Sequence, residues 1–162
     1  ATVYFVKLVL RSKGGDVLAD NFYWLSPRLD DYDVVFHGDW HDFPADKPLA
    51  VPRDAPCLRE LAALPEARVQ VSAVPATDCS AGVGAVTAIQ VCNPTEHLAF
   101  FLKLRLLDGA DAEVLPAYWE DNYFSLLPGE CRTVTVACDS RRPGLRVEVE
   151  GWNVPVTVTE VQ

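Results

Sequence analysis

The sequence predicts an all-β protein, an immunoglobulin-like antiparallel β-sandwich that is preceded by a β-hairpin. Two observations predict this fold. About seven short strand-like segments follow one another at regular spacing within residues 57–162, and nearly all of them are bounded by Pro, Gly, Asn or Asp. Within these segments apolar and polar side chains alternate, as they do in strands that have one face in a core and the other in water.

The hairpin is predicted in residues 1–26. In the opening segment TVYFVKLVLR, Tyr4, Val6 and Leu8 share one face of a strand. The two glycines of SKGGD mark a tight turn, and VLADNFYWLS then follows as the second strand. A lone hairpin is only marginally stable in water, so this one is expected to dock against another part of the protein.

Residues 27–56 are predicted to form a linker or an insertion. The segment is rich in proline and aspartate and has no lasting periodicity. A short strand is expected within it at residues 33–36. The segment CLRELAALPEA, which starts at Cys57, is expected to be a short helical turn or an extended tether.

One candidate metal site lies in the same linker. His37, Asp39 and His41 occupy positions i, i+2 and i+4, so in an extended chain their side chains leave on one side. Metal ligands need supporting residues that hold them in place, and a proline-rich excursion offers none. We therefore interpret this stretch as a solvated polar loop and predict no metal and no cofactor.

The core of the sandwich is predicted from side-chain parity. Three segments place their aliphatic residues on one face: Phe100, Leu102, Leu104 and Leu106, then Val134, Val136 and Cys138, then Leu145, Val147 and Val149. Phe101 has the opposite parity, together with Lys103 and Arg105, so its ring is expected on the outer face. An outward Phe indicates a surface that another domain covers.

Charge and hydropathy exclude two classes of partner. The formal net charge is −9 and the pI is about 4.7, so the chain is repelled by phosphate backbones and by anionic lipid. The sequence has no apolar run of the roughly 18 residues that a membrane-spanning helix needs. We predict no nucleic acid and no membrane partner. The opening ATVYF lacks Met, which indicates a cut through a longer polypeptide or a processed piece.

The five cysteines are Cys57, Cys79, Cys92, Cys131 and Cys138. An odd number leaves at least one thiol unpaired, and Cys-x-x-Cys spacing is absent. We expect them to be small apolar or half-exposed thiols, and they leave the cellular compartment open.

No catalytic residue is predicted. Glu120 and Asp121 are adjacent in WEDNYFSLLPGE, and neighbouring side chains of an extended chain leave opposite faces, so the two cannot flank one glycosidic bond. Instead Asp121 and Asn122 are expected to bond the local backbone and to shape the bend before Tyr123. Gly-x-Ser-x-Gly and a phosphate-binding glycine-rich loop are both absent from the sequence.

Aromatic residues are the remaining candidates. The segment WEDNYF is predicted to be a strand whose rings fill the sandwich or its contact surface. The same rings could stack on pyranose faces instead. The candidates for interdomain or carbohydrate contact are Phe101, Tyr118, Trp119, Tyr123, Phe124 and Trp152.

Three motifs carry a resemblance. LAFFLKLRLL, VLPAYWEDNYFSLLPGECRTVTV and VEGWNV resemble the C-terminal immunoglobulin-like domain of glycoside hydrolase family 2, in the subgroup of exo-β-D-glucosaminidases and mannosylglycoprotein endo-β-mannosidases. The N-terminal segment up to residue 26 is similar to the end of the preceding sandwich domain, and LRELAALPEARVQVSA to the tether that follows it. Residues 27–56 have no counterpart in this resemblance.

The resemblance implies a part that does no chemistry. In that family two glutamates on an upstream (β/α)8 barrel perform retaining hydrolysis, and no position of this sequence matches the barrel motifs. The expected role is therefore a structural accessory domain, whose partners are the upstream barrel and sandwich domains, with oligosaccharide as a further candidate ligand. The resemblance also favours a secreted, periplasmic or vacuolar compartment.

Two other functions stay open at this point. One is a carbohydrate-binding module, in which Trp40, Trp119 or Trp152 would stand exposed as a flat platform. The other is a free-standing interaction module of immunoglobulin type.

Overall fold

The structure is a computed structural model. It describes residues 3–25, 31–34, 50–54, 60–76, 85–138 and 143–162, with the backbone alone at 31–34 and 50–54. The chain divides into two compact units, Ala1–Leu64 and Pro65–Gln162. The predicted boundaries 1–26, 27–56 and 57–162 stay predictions.

The first unit contains the predicted hairpin. Strands β1 (Tyr4–Arg11) and β2 (Val17–Leu25) pair antiparallel, and Gly15 adopts a φ of 95° in the turn between them. Ser12 closes this turn, because its hydroxyl oxygen accepts hydrogen bonds from the backbone N–H groups of Gly14 (3.1 Å) and Asp16 (3.2 Å). A glycine suits the turn because a positive φ is strained for residues with a side chain.

A second pair of strands lies in the stretch predicted as a linker or insertion. Strand β3 (Asp31–Val34) pairs antiparallel with β4 (Ala50–Asp54). The short strand expected at 33–36 therefore begins two residues earlier than predicted. Strand β4 was not predicted because Pro52, which cannot donate a backbone hydrogen bond, lies in its middle.

The second unit is a sandwich of two antiparallel sheets. Its strands are β5 (Gln70–Pro75), β6 (Ala85–Cys92), β7 (Ala99–Leu107), β8 (Ala117–Trp119), β9 (Phe124–Leu126), β10 (Cys131–Cys138), β11 (Arg146–Gly151) and β12 (Val154–Glu160). The first sheet has the order β5-β6-β10-β8, and the second sheet has the order β12-β11-β7-β9. The predicted antiparallel β-sandwich is confirmed.

The core lies between these sheets, as alternation predicted. Ile89 and Val134 of the first sheet, and Leu104, Val147 and Val149 of the second, are each no more than 2% exposed. Complete burial of one such aliphatic side chain stabilises the fold by about 2 kcal/mol. The other predicted core positions on β7 and β10 are buried as well, and Leu145 is partly buried against the same cluster.

The two margins of the sandwich differ. One is closed, because backbone bonds join the two sheets there, and at the other margin the edge strands are short. At the closed margin a parallel bridge joins Ala73 of β5 to Val161, the residue after β12, and the N–H of Gln162 donates to the carbonyl of Ala73 at 3.1 Å. The opposite margin consists of β8 and β9, which have three residues each. Residues 120–123 cross from one sheet to the other at this margin.

Two predictions are wrong. The segment WEDNYF is not one strand, because β8 ends at Trp119 in the first sheet and β9 begins at Phe124 in the second. Cys92 and Cys131 are not thiols but a disulfide, which joins directly opposite residues of β6 and β10. Cys138 is a buried thiol, as expected. Cys57 and Cys79 lie outside the described residues.

Candidate interaction surface

The rings of Phe101 and Tyr123 form a pair at the surface of the second sheet. Their centroids lie 5.4 Å apart at an interplanar angle of 43°, the tilted arrangement that aromatic pairs favour. Phe101 is 38% exposed and Tyr123 51% exposed. The outward direction predicted for Phe101 from its parity is confirmed.

Both residues have an unusual backbone conformation. Phe101 has a φ of 56° and Tyr123 a φ of 58°, in the left-handed region that favours glycine. For other residues this conformation costs about 1 kcal/mol or more, so the surrounding structure must hold it. At Phe101 the pairing of β7 with β9 also shifts register, between Ala99 and Leu102. Among the described residues, two of the three non-glycine positions with a positive φ therefore belong to this ring pair, and the third is Asp111.

Polar side chains hold this conformation. The N–H of Phe101 donates to the hydroxyl of Ser125 at 3.0 Å, and the N–H of Tyr123 donates to the side-chain oxygen of Asn122 at 2.9 Å. Asp121 accepts a hydrogen bond from the N–H of Asn122 at 2.8 Å. The predicted role of Asp121 and Asn122 in shaping the bend before Tyr123 is confirmed.

Trp152 lies in the turn between β11 and β12, where its backbone reaches the first residues of β7. Its N–H donates to the carbonyl of Phe100 at 2.9 Å, and its side chain is 53% exposed. The following residue, Asn153, accepts a hydrogen bond from the N–H of Phe100 at 2.9 Å and donates to the carbonyl of Leu98 at 2.7 Å.

Asn153 also fixes the point where the chain enters the sandwich. Its side-chain amide donates to the carbonyl of Pro65 at 2.6 Å, and its backbone carbonyl accepts from the N–H of Ala67 at 2.9 Å. The motif Gly-Trp-Asn therefore joins the turn after β11, the first residues of β7 and the entering segment. Trp152, at this junction, is exposed at the end of the sandwich where the chain enters.

Ion pairs occupy the outer face beyond the rings. Lys103 pairs with Glu150 at 3.2 Å across β7 and β11, and Arg105 pairs with Glu148 on the next rung. Hydrogen bonding to the Glu148 carboxylate raises the pKa of Arg105, so the guanidinium stays charged. These opposite charges neutralise each other within the sheet.

The remaining candidate rings lie apart from this pair. Phe124 is buried in the core, and the guanidinium of Arg132 lies 5.2 Å from its centroid. Trp119 is partly buried against the core. Tyr118 is 61% exposed, but it belongs to β8 of the first sheet, opposite Ala137. Of the six candidates, the structure brings together the rings of Phe101 and Tyr123, and it joins the backbone of Trp152 to Phe100, the residue before Phe101.

The carboxylates of the crossing segment are engaged in structural contacts. Glu120 accepts hydrogen bonds from the N–H and the hydroxyl of Thr135, at 3.1 and 2.9 Å. Asp121 forms an ion pair with Arg132 at 2.9 Å. These contacts anchor the crossing segment to β10.

His37, Asp39 and His41 lie outside the described residues. Within the part of the chain that the structure describes, no group of three or more His, Cys, Asp or Glu side chains could hold a metal ion. Among the same residues no helix is long and apolar enough to cross a membrane.

Sequence reasoning missed the roles of three polar residues. Ser125 accepts a hydrogen bond from the N–H of Phe101, and Asn153 accepts one from the N–H of Phe100. Elsewhere in the sandwich the buried Asn93 donates to the carbonyls of His97 and Leu126, at 2.7 and 3.0 Å. Asparagine at a strand end is a usable signal, because its side chain can bond backbone groups in the way another strand would.

Comparison with known proteins identifies relatives of this chain. A family model described as the exo-β-D-glucosaminidase Ig-fold domain matches residues 51–154. An exo-β-D-glucosaminidase of Streptomyces avermitilis is 34% identical over 158 residues, which cover 94% of this chain and 16% of that enzyme. One of Arthroderma benhamiae is 33% identical over 153 residues, with the same coverage.

A solved structure has the same fold. The crystal structure of the Amycolatopsis orientalis exo-chitosanase CsxA matches with a TM-score of 0.80 and 26% identity, over 99% of this chain and 18% of that chain. The chain thus spans about one sixth of the length of the relatives it matches. The predicted immunoglobulin-like fold is confirmed, and the chain belongs to the family of exo-β-D-glucosaminidase Ig-fold domains.

Proposed function

We propose that this chain is the non-catalytic C-terminal accessory part of a retaining family 2 glycoside hydrolase. The observation that carries the proposal is the match to the Ig-fold domain of exo-β-D-glucosaminidases, together with the small share of those enzymes that the chain spans. The whole enzyme would act on β-glucosaminide linkages. Action on β-mannosides, which the sequence resemblance also included, has less support, because the matched relatives are named as glucosaminidases.

The contacts of the acidic residues support a role without chemistry. A retaining glycosidase needs two carboxyl groups roughly 5 Å apart across a bound sugar, one as acid and base and the other as nucleophile. Glu120 and Asp121 are bonded to Thr135 and Arg132. Neither carboxylate is positioned for such a pair.

The hairpin supports the idea of a larger protein. One face of the hairpin has no charged side chain: it carries Tyr4, Val6, Leu8 and Leu10 of β1 and the opposite residues Leu25, Tyr23, Asn21 and Ala19 of β2. Several of these apolar residues are exposed. We infer that this hairpin forms the last part of a preceding sandwich domain, with its charge-free face toward that domain's core.

The direct test is hydrolysis of p-nitrophenyl β-D-glucosaminide. The full-length polypeptide is expected to release p-nitrophenol, and this 162-residue chain at the same molar concentration is expected to release none. Turnover by the chain alone would contradict the accessory role. Inactivity of the full-length polypeptide on both β-glucosaminides and β-mannosides would contradict the assignment of the parent enzyme.

A carbohydrate-binding module is the rival, because Trp152 and Tyr118 are exposed rings. Against it, Glu150 is already paired with Lys103, and Asp121 with Arg132. At these two carboxylates a protonated amino sugar would have to compete with a cation that is already bound. Titration of glucosamine oligosaccharides against the chain separates the two functions, since millimolar or tighter binding would favour the module.

A further inference from the structure

We propose that Phe101, Tyr123 and Trp152 form a docking surface for another domain of the same polypeptide. We call these three residues the entry-end rings, after the end of the sandwich at which they lie. The proposed partner is a protein surface that is apolar and uncharged. The inference rests on the proposed function, because it takes this chain to be one part of a longer enzyme.

The backbone conformation is the first observation. Phe101 and Tyr123 both have the left-handed φ that favours glycine, although an aromatic residue occupies each position. Their rings remain 38% and 51% exposed, so filling the core of the sandwich does not explain them. Residues held in a strained conformation by the surrounding structure are typical of binding surfaces. The strain here places two large apolar side chains against each other on the outside.

The position of the rings is the second observation. Trp152 is bonded through its N–H to Phe100, the residue before Phe101, and Asn153 is bonded to Pro65 and Ala67. The Phe101 ring, the Tyr123 ring packed on it and the backbone of Trp152 thus lie around the first residues of β7, at the end where the polypeptide enters the sandwich.

The charge pattern is the third observation, and it favours a protein partner over a sugar. On the same outer face Lys103 and Glu150, and Arg105 and Glu148, are already paired. Such a surface presents no unmatched charge to a neutral partner, as long as the ion pairs stay hydrated at the rim, because burying even a paired charge costs desolvation energy. A polycationic glucosamine polymer would instead be bound best by unpaired carboxylates.

The length of the relatives makes such a partner available. The chain spans 16% of the Streptomyces avermitilis enzyme and 18% of the CsxA chain, so most of each enzyme lies outside the matched part. Large exposed aromatic residues that cluster on one surface are typical of protein contact sites. The occupant we assign is therefore a domain of the same polypeptide.

Hydroxyl-radical footprinting of the full-length polypeptide tests the proposal. Mass spectrometry would measure the oxidation rate of each entry-end ring, corrected for the intrinsic reactivity of Phe, Tyr and Trp. Tyr118 is the matched control, because it is 61% exposed on the other sheet. We expect the entry-end rings to be oxidised several-fold more slowly than Tyr118. Equal corrected rates, whether all fast or all slow, would overturn the proposal.

A second arm distinguishes protein from sugar. The footprint is repeated with glucosamine oligosaccharides added at millimolar concentration. Rings that are already protected, and that the oligosaccharides do not protect further, support the docked domain. Rings that become protected only when the oligosaccharides are present would overturn it in favour of a sugar site.

Variants add a readout that does not depend on catalysis. Phe101→Ala with Tyr123→Ala should increase the oxidation of Trp152 in the full-length polypeptide, whereas Tyr118→Ala should leave it unchanged. An unchanged rate in the double variant would count against a shared surface. Loss of glucosaminidase activity plays no part in these measurements, so failure of the docking surface and failure of the proposed function are distinguishable.

Discussion

Asn122 pairs with Leu104 as a strand residue would, although it uses its side chain. Its side-chain oxygen accepts a hydrogen bond from the N–H of Leu104 at 2.8 Å, and its amide nitrogen donates to the carbonyl of Leu104 at 3.0 Å. The crossing segment 120–123 is thereby attached to the middle of β7, and the backbone groups of a buried residue are satisfied.

Asn122→Ala is expected to destabilise the protein by about 2 kcal/mol, because both backbone groups of Leu104 lose their partners and a buried unpaired polar group costs about 1–3 kcal/mol. Urea denaturation followed by intrinsic fluorescence measures this change. Asn21→Ala in the hairpin is the matched control and should change stability by less than about 0.5 kcal/mol. Similar effects of both substitutions would show that the contact with Leu104 contributes little.

Gly151→Ala is expected to be destabilising by about 1–3 kcal/mol through overpacking. A Cβ at this position would lie 2.9 Å from Leu102 Cδ2 and 3.0 Å from the carbonyl oxygen of Phe100. Gly109→Ala is the control, since its Cβ would meet nothing closer than 3.6 Å. Thermal unfolding of both variants should show a lower Tm for Gly151→Ala alone. A wild-type Tm for that variant would mean that β7 moves aside at little cost.

Reduction of the disulfide between Cys92 and Cys131 is expected to destabilise the protein. The cysteines are 39 residues apart, and closing a loop of that size in the unfolded chain stabilises the fold by roughly 3–4 kcal/mol. Denaturation with and without dithiothreitol measures the effect. The variant with Cys92→Ser and Cys131→Ser should start from lower stability and respond less to the reductant. If dithiothreitol lowered the stability of the wild type and of the variant by the same amount, the contribution of this disulfide would be contradicted.

Leu8→Lys is expected to impair folding of the full-length polypeptide, because it places a charge on the face of the hairpin that carries none, and burial of an unpaired charge is strongly unfavourable. Val9→Lys is the matched control on the opposite face, where Lys7 and Asp20 already lie 3.7 Å apart. The yield of soluble protein and the Tm should fall for Leu8→Lys only. If the soluble yield and the Tm were the same for Leu8→Lys and Val9→Lys, this would argue against burial of the charge-free face in the full-length polypeptide.

The sheets of the sandwich could be predicted because alternation reports burial directly. Leu102, Leu104 and Leu106 face the core while Lys103 and Arg105 face outward, as their parity indicated. Regular spacing of turn residues predicted about seven strands within residues 57–162, one fewer than the eight of the sandwich. Phe101 was placed outward by the same rule.

The crossing segment could not be predicted, because there the side chain of Asn122 makes the hydrogen bonds to β7 that a strand would make through its backbone. A period-two pattern assumes that each residue bonds the neighbouring strand through its main chain, whereas Asn122 bonds Leu104 through its side chain. The disulfide was missed for a different reason. Its cysteines become neighbours only through the register of β6 against β10, and spacing along the sequence does not reveal that register.

The brevity of β8 and β9 bears on self-association. Long, flat strand edges are templates on which other chains can add, and this is a route to fibrils. On this margin of the described sandwich the edge strands β8 and β9 have only three residues each. The segment between them is held through the side chains of Asn122 and Glu120, so it does not continue either strand. An incoming strand would find too few donors and acceptors in line. The geometry that carries the chain between the sheets thus makes these two edge strands poor templates for an added strand.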